Sequence, residues 1–561
     1  EFLEKSQESN IGKMLADEKI APLVGDLFQT ARDAYSEVED KVGLSLDELQ
    51  ELPAGEICFA VIAPRRKTPA FVLMIDTDEE SEVVEKAVQR GRDLLSENEL
   101  ELETEELDDV TYEKFNIEGQ EVFYFNKGGT VVLGTNQDVL DGMVERWMGR
   151  EEEKIRPLKE NRKFITIMNR CRGTKDVPPD LRFFADPIAL AKSATRGNVA
   201  AQAGLNFLPI VGLDGFLAIG GSSIIDELEF EYVSHIHFLL SNPRAGIFEM
   251  MALKPGVYEP QPWVPEKAPA YISTSWDIQK MFAEFEKMYD SFQGEGALAE
   301  EIEDEINDEL DIDFKADLID QLSGRLTYVQ WVGDDASVIN GQNNAVGIGL
   351  EDPDKFMDIV DLFLEKIRDE EGEDEIEEVE HQGITFWQTP DSRTERQRER
   401  MEKRREEGRG PQMDIRLPQP CFSILDDHLI IADSPEFMKR AIETSQGESP
   451  ALVDDEQFQY VSEQMTRLLG TDVPGAIIYS CPEETFKMFF NVAKNDDTRG
   501  FLDRMAEDNK YAQGVRDAIE NNPLPEFEDI KQYFPPSGAF ITNDDTGYHL
   551  LGFQLKAGDG E

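Results

Sequence analysis

The chain has 561 residues, of which 117 are acidic and 56 basic, giving a formal net charge of −61 at neutral pH. Such a surface repels phosphate backbones and anionic headgroups, which proteins meet with Lys and Arg, so nucleic acid is excluded as a partner. With 40% hydrophobic residues, and 33 Phe in all, the sequence has material for two to four ordinary domains.

The chain opens on EFLEKSQ rather than methionine. Residue 1 is expected to be a truncation or processing point, with an export signal upstream. The first strands in chain order are AGEICFAVIAP and PAFVLMID, followed by the helix EESEVVEKAVQRGRDLL. IEGQEVFYF reads as a strand, and TVVLGTNQDVLDGMVER as a buried strand, a polar turn and a helix. PLKENRKFITIMNRC, DVPPDLRFFADP and GFLAIGG…FEYVSHIHFLL then supply a helix and the closing strands. The apolar stretch from Phe207 to Ile225 is broken by Pro209, Asp214, Gly220 and Gly221, so it reads as turn-rich strand and no transmembrane segment is expected.

Prolines at 255, 260, 262, 265 and 269 mark an extended linker over 254–269. Beyond it AYISTSW is a strand leading into a helix with Met281, Phe282, Phe285, Met288, Tyr289 and Phe292 on one face. The earlier order of events then recurs. SGRLTYVQWVG and NAVGIGLED answer the first two strands, and DKFMDIVDLFLEKI answers the first helix with Phe356, Ile359, Val360, Phe363 and Ile367 on one stripe. HQGITFWQT, HLIIADSPEFMKRAIE, ALVDDEQFQYVSEQM, DVPGAIIYSCP and GAFITNDDTGYHLLGFQL follow in the same sequence. Two tandem homologous copies are therefore expected: 1–253, lacking an opening strand, and 270–561. Short polar turns between strands imply antiparallel pairing, so the fold class is α+β, with antiparallel sheets and helices packed on one face.

The copies differ most at about 391–416, a charged insertion in the second copy. From Arg393 to Arg409 it holds eight basic and five acidic residues. Arg396, Arg398, Arg400, Lys403, Arg404 and Arg405 are candidate partner-binding residues, suited to an acidic surface such as another copy of the chain. Another difference is the carboxylate-rich stretch at about 293–313. Leu298, Ile302, Ile306 and Leu310 recur there at helical spacing, so it reads as an acidic amphipathic helix without an EF-hand pattern. No cofactor is expected, although the acidic excess offers weak sites to a hard divalent cation such as calcium.

Candidate chemistry is sparse. His235 and His237 fall two apart in a strand and share its face with Glu231 and Glu229, which makes His235, His237 and Glu231 candidate metal ligands. The second copy keeps one histidine at the matching place, His549. HExxH and GxSxG patterns are absent, and no catalytic residue is assigned. Cys58, Cys171, Cys421 and Cys481 show no CxxC spacing, and their pairing or reduced state stays open.

IGKMLADEKIAPLVGDL, LDGFLAIGG, VSHIHFLLSNPRAG and PWVPEKAPAYISTSWD together resemble a group of exported planctomycete proteins known only as a domain of unknown function. The resemblance implies a bacterial, periplasmic or extracellular location and supplies no activity, cofactor or functional residue. The expected function is that of a non-enzymatic exported cell-envelope protein, acting by binding or assembly with itself or another envelope protein. One alternative is a carrier holding an apolar ligand such as a lipid in a sheet-enclosed cavity. A second is a metal-dependent hydrolase centred on His235 and His237.

Overall fold

A computed structural model of the chain describes residues 2–63, 69–78, 81–107, 110–117, 119–149, 157–173, 178–256, 258–307, 310–333, 341–370, 376–390, 418–494 and 496–557. Two compact units emerge. Val24–Ile165 and Asp186–Phe207 form the smaller; Glu1–Leu23, Thr166–Ala185 and Leu208–Glu561 form the larger. Each is built on one antiparallel sheet with helices against it, an α+β arrangement.

The smaller unit contains β1 (Ile57–Ile62), β2 (Ala70–Asp76), β3 (Glu103–Leu107), β4 (Val110–Ile117), β5 (Gln120–Lys127) and β6 (Thr130–Gly134). Their spatial order is β1-β2-β6-β5-β4-β3. Helix α1 (Glu82–Glu97) follows β2 and helix α2 (Gln137–Trp147) follows β6. Alternation places Val72, Tyr112, Phe123, Phe125 and Val132 on one face, where Leu140 and Val144 of α2 close the core. Asn136 caps α2 by accepting a hydrogen bond from the Val139 N–H. Arg92 of α1 pairs instead with Glu113 of β4, which points away from the face that Tyr112 enters.

In the larger unit, β7 (Leu181–Ala185), β8 (Phe216–Glu227) and β9 (Phe230–Leu240) follow the end of helix α3 (Arg162–Arg170), whose residues from Thr166 onward belong to this unit. After them come β10 (Ala270–Ser275), helix α4 (Ile278–Gln293), β11 (Leu322–Val332), β12 (Gln342–Leu350) and helix α5 (Pro353–Glu370). β13 (Glu377–His381), β14 (Ile384–Gln388), β15 (Cys421–Leu425), β16 (His428–Ala432) and helix α6 (Pro435–Ser445) come next. Helix α7 (Glu456–Leu469), β17 (Ala476–Ser480), β18 (Ser537–Asp544) and β19 (Gly547–Leu555) complete the set. All thirteen strands join one sheet, ordered β13-β14-β15-β16-β12-β11-β10-β17-β18-β19-β9-β8-β7.

The run β11-β12-β16-β15-β14-β13 has the same connectivity as the whole six-stranded sheet of the smaller unit. Helices lie against both faces of this run rather than one. Phe437, Met438 and Ile442 of α6 pack with Cys421 and Ile430 on one side. Phe356, Val360 and Leu364 of α5 pack with Trp387, Phe422 and Leu429 on the other. Central strands that are apolar at successive positions, such as HLIIA, need cover on both sides.

The division at 254–269 differs from the sequence expectation. β9 pairs with β19, so strands on either side of 254–269 share one sheet, and the compact units do not part at that segment. The proline-rich segment is irregular but not exposed: Tyr258, Trp263, Val264 and Ala268 are buried in the main core of the larger unit. Proline denies it a place in the ladder, while its aromatic rings fill the space below. Gly347 of β12 makes room for Trp263, since a Cβ there would lie 2.3 Å from the indole ring. The insertion at 391–416, with Arg396, Arg398, Arg400, Lys403, Arg404 and Arg405, lies outside the described residues.

Candidate functional site

The site most able to carry chemistry is a histidine cluster at the β9–β19 junction. Along β9 the buried positions alternate as Glu231, Val233, His235, His237 and Leu239. Antiparallel register sets His549 of β19 directly opposite His237 and one diagonal step from His235. The rings of His235 and His549 are 5.4 Å apart between centroids, and those of His237 and His549 are 5.6 Å apart.

Gly220 governs what covers them. It sits opposite His237 on β8, where a Cβ would meet the Phe183 carbonyl oxygen at 2.7 Å and the Ile167 side chain at 2.8 Å. Its bareness lets α3 settle on the strand, with Ile167 and Cys171 packed against Ala218 and Leu239. The Ser222 hydroxyl fastens the helix end by donating to the Cys171 carbonyl at 2.6 Å. Arg170, at that end, pairs with Asp544 and donates to the Thr546 hydroxyl at 3.4 Å.

The Thr546 hydroxyl donates to Asp544 at 2.6 Å, so its oxygen accepts from Nε2–H of His237 at 3.3 Å. His235 Nδ1 and His549 Nε2 share a hydrogen bond of 3.2 Å. The second nitrogen of each ring, Nε2 of His235 and Nδ1 of His237 and His549, is buried without a partner. Burial lowers the pKa of all three; burial with Arg170 nearby brings His237 to about 4, and burial, the two neighbouring rings and Arg170 together bring His549 to about 3. For His235 the Glu227 carboxylate partly offsets burial. The cluster is therefore uncharged at neutral pH, and its bases are too weak to act as a general base there.

The third candidate ligand does not join them. Glu231 shares the face, but four residues of strand separate it from His235 by roughly 13 Å. Its carboxylate instead accepts from the Asn10 backbone N–H at 2.7 Å, and burial raises its pKa. Glu229 pairs with Arg467. Among the described residues, no group of three or more His, Cys, Asp or Glu side chains is placed to hold a metal ion. The remaining histidines lie elsewhere: His381 meets Glu443 at 3.1 Å, and buried His428 bridges Asp427 and Gln261. The sequence pattern did not reveal His549 as a partner of His237. That contact depends on the register between β9 and β19, which are distant in the sequence, and only the matching place of His549 in the repeat pointed toward it.

Two other features bear on binding. A cavity of about 490 Å³ lies beside α5, lined by Leu364, Ile384 and Trp387 together with Asp361, Arg368 and Glu378. On the smaller unit's sheet, Ile57, Phe59 and Val61 of β1 and Phe71 of β2 are exposed, Phe59 at 67%. All four cysteines are free, and Cys171, Cys421 and Cys481 are buried. Among the described residues, no helix is long and apolar enough to cross a membrane.

A family model described as "Protein of unknown function (DUF3352)" matches residues 261–480, which run from the approach to β10 through β17. The match agrees with the domain of unknown function expected from the sequence. No curated protein matches the chain. A solved structure titled "Structure of crystal form III of TP0453" is similar over 54% of this chain and 81% of that chain, at 10% identity and a TM-score of 0.22.

Proposed function

We propose that the chain is a non-enzymatic, exported cell-envelope protein that works by binding or assembly, and that it carries two divergent copies of one α+β block. The observation that carries the binding reading is the apolar patch of Ile57, Phe59, Val61 and Phe71, exposed on a chain of net charge −61. Contiguous exposed apolar side chains are unusual on soluble proteins and mark surfaces that a partner covers. The repeated strand order supports the duplication, and the resemblance to exported proteins supports the location. Burial of the histidine cluster speaks against a hydrolase, because His237 is fully buried and offers no surface to a substrate.

The test is chemical cross-linking in native cells, comparing the wild-type chain with a Phe59→Lys, Phe71→Lys variant. Wild-type protein should appear in higher-mass envelope complexes that the variant loses. Identical complexes for both would overturn the reading. A carrier role has one observation in its favour: the cavity beside α5 is within the size range of small-ligand sites. Its walls mix charge with apolar surface, so an amphiphile suits it better than a pure hydrocarbon. Solvent extraction of protein purified from native cells, with no stoichiometric lipid recovered, would remove that alternative.

A further inference from the structure

Each sheet has one edge guarded by charge. β3, at one edge of the six-stranded sheet, reads ETEEL, and β13, at one edge of the larger sheet, reads EEVEH. Carboxylates along an edge discourage another strand from pairing. The opposite edge of the six-stranded sheet, β1, reads ICFAVI. It has no charge and no proline, Ile57 and Phe59 are more than half exposed, and among the described residues it pairs with β2 alone.

The larger unit shows what such an edge takes. β11 has the position in its run that β1 has in the smaller sheet, and β11 is covered by β10. The register can be carried over residue by residue. Val72 pairs with Gly134 of β6 and Ala60 of β1, just as Ala345 pairs with Ala432 of β16 and Val329 of β11. Ala60 therefore corresponds to Val329, which faces Tyr271, and Phe59 corresponds to Tyr328, which faces Ile272. Tyr271 is fully buried in the core of its unit. A strand added to β1 in the same register sets a large apolar residue over the small Ala60 and a second one over exposed Phe59.

We propose that β1 is a docking edge for an extended apolar segment donated by a different polypeptide, which adds antiparallel to it as β10 adds to β11. The proposal rests on the binding reading above and names the chemistry of the partner. A second copy of this chain is disfavoured as donor because two bodies of charge −61 repel one another. The donor segment carries two adjacent apolar residues, one for each face of the strand, followed by small polar ones, as AYISTS does.

The experiment uses the full chain and a fluorescent peptide with the sequence of residues 268–277, APAYISTSWD. Saturable binding is expected, with slowed amide hydrogen exchange confined to 57–62 in the smaller unit. Phe59→Lys with Val61→Lys, both at exposed positions, should weaken it by at least about tenfold, and a proline in place of the peptide's isoleucine should abolish it. Equal binding to the double variant, or binding without protection of 57–62, would overturn the proposal. So would protection of 57–62 in a dimer formed without peptide, which would make the second copy the occupant. If the peptide fails while the Phe59→Lys, Phe71→Lys variant still loses its envelope complexes, the strand-donor proposal falls and the binding function stands.

Discussion

Protonation of the histidine cluster should destabilise the larger unit in mild acid. In the folded chain His237 stays neutral down to about 4, whereas an unfolded histidine takes up its proton near 6.5. Between those values the unfolded state binds more protons, so stability falls as the pH drops through that window and levels off below it. The gap for His237 alone corresponds to roughly 3 kcal/mol. His549 extends the loss toward about 3, but the rings are coupled and their contributions do not add. Buried Glu231 and half-buried Glu483 have raised pKa values, so they titrate in the opposite sense and blur the total. The informative quantity is thus the difference between wild type and His237→Gln. Two measurements are needed: selective ¹³C-imidazole NMR titration, and thermal unfolding between pH 7 and pH 4. The wild-type cluster should resist protonation until well below pH 6, and the variant should show a shallower decline of melting temperature with acid. Arg170→Gln should raise the pKa of both His237 and His549, since it removes the nearby positive charge. Ordinary titration of all three rings near 6.5, or equal acid slopes for wild type and variant, would refute the reasoning.

Gly347→Ala should destabilise the larger unit by about 1–3 kcal/mol, because the added methyl meets the rigid Trp263 ring; an unchanged melting temperature would contradict this. Phe123→Ala, fully buried in the smaller unit, should cost about 3–5 kcal/mol, whereas Phe59→Lys on the exposed edge should stay within about 0.5 kcal/mol. Native protein at pH 8 should consume maleimide slowly and at Cys58 first, because burial pushes the thiols of Cys171, Cys421 and Cys481 up to about 12. Intact-mass analysis should show four labels once the chain is unfolded.

Much of the architecture was legible from local pattern. The alternation in EICFAVI and the helical stripe through Phe356, Ile359 and Val360 identify elements whose faces are set by period, although Phe363 of that stripe is exposed and Leu364 is buried in its place. The recurrence of the same element order anticipated the shared strand connectivity of the two sheets. What stayed hidden depends on non-local pairing. Trp263 and Val264 lie among prolines that signal a linker, and only the assembled core shows that their side chains are needed inside it. The shared face of Glu231, His235 and His237 follows from a strand period of two, yet that same geometry spaces Glu231 too far along the strand to act with His235. His549 reaches His237 only through the β9–β19 register, for which no local pattern exists.

The central claim is that β1 is an interaction edge and is occupied where the protein works. The most direct measurement compares hydrogen exchange of residues 57–62 in purified protein with that in the protein held in native envelope fractions. Fast exchange when purified and slow exchange in the envelope is the predicted result; equally fast exchange in both would contradict the account.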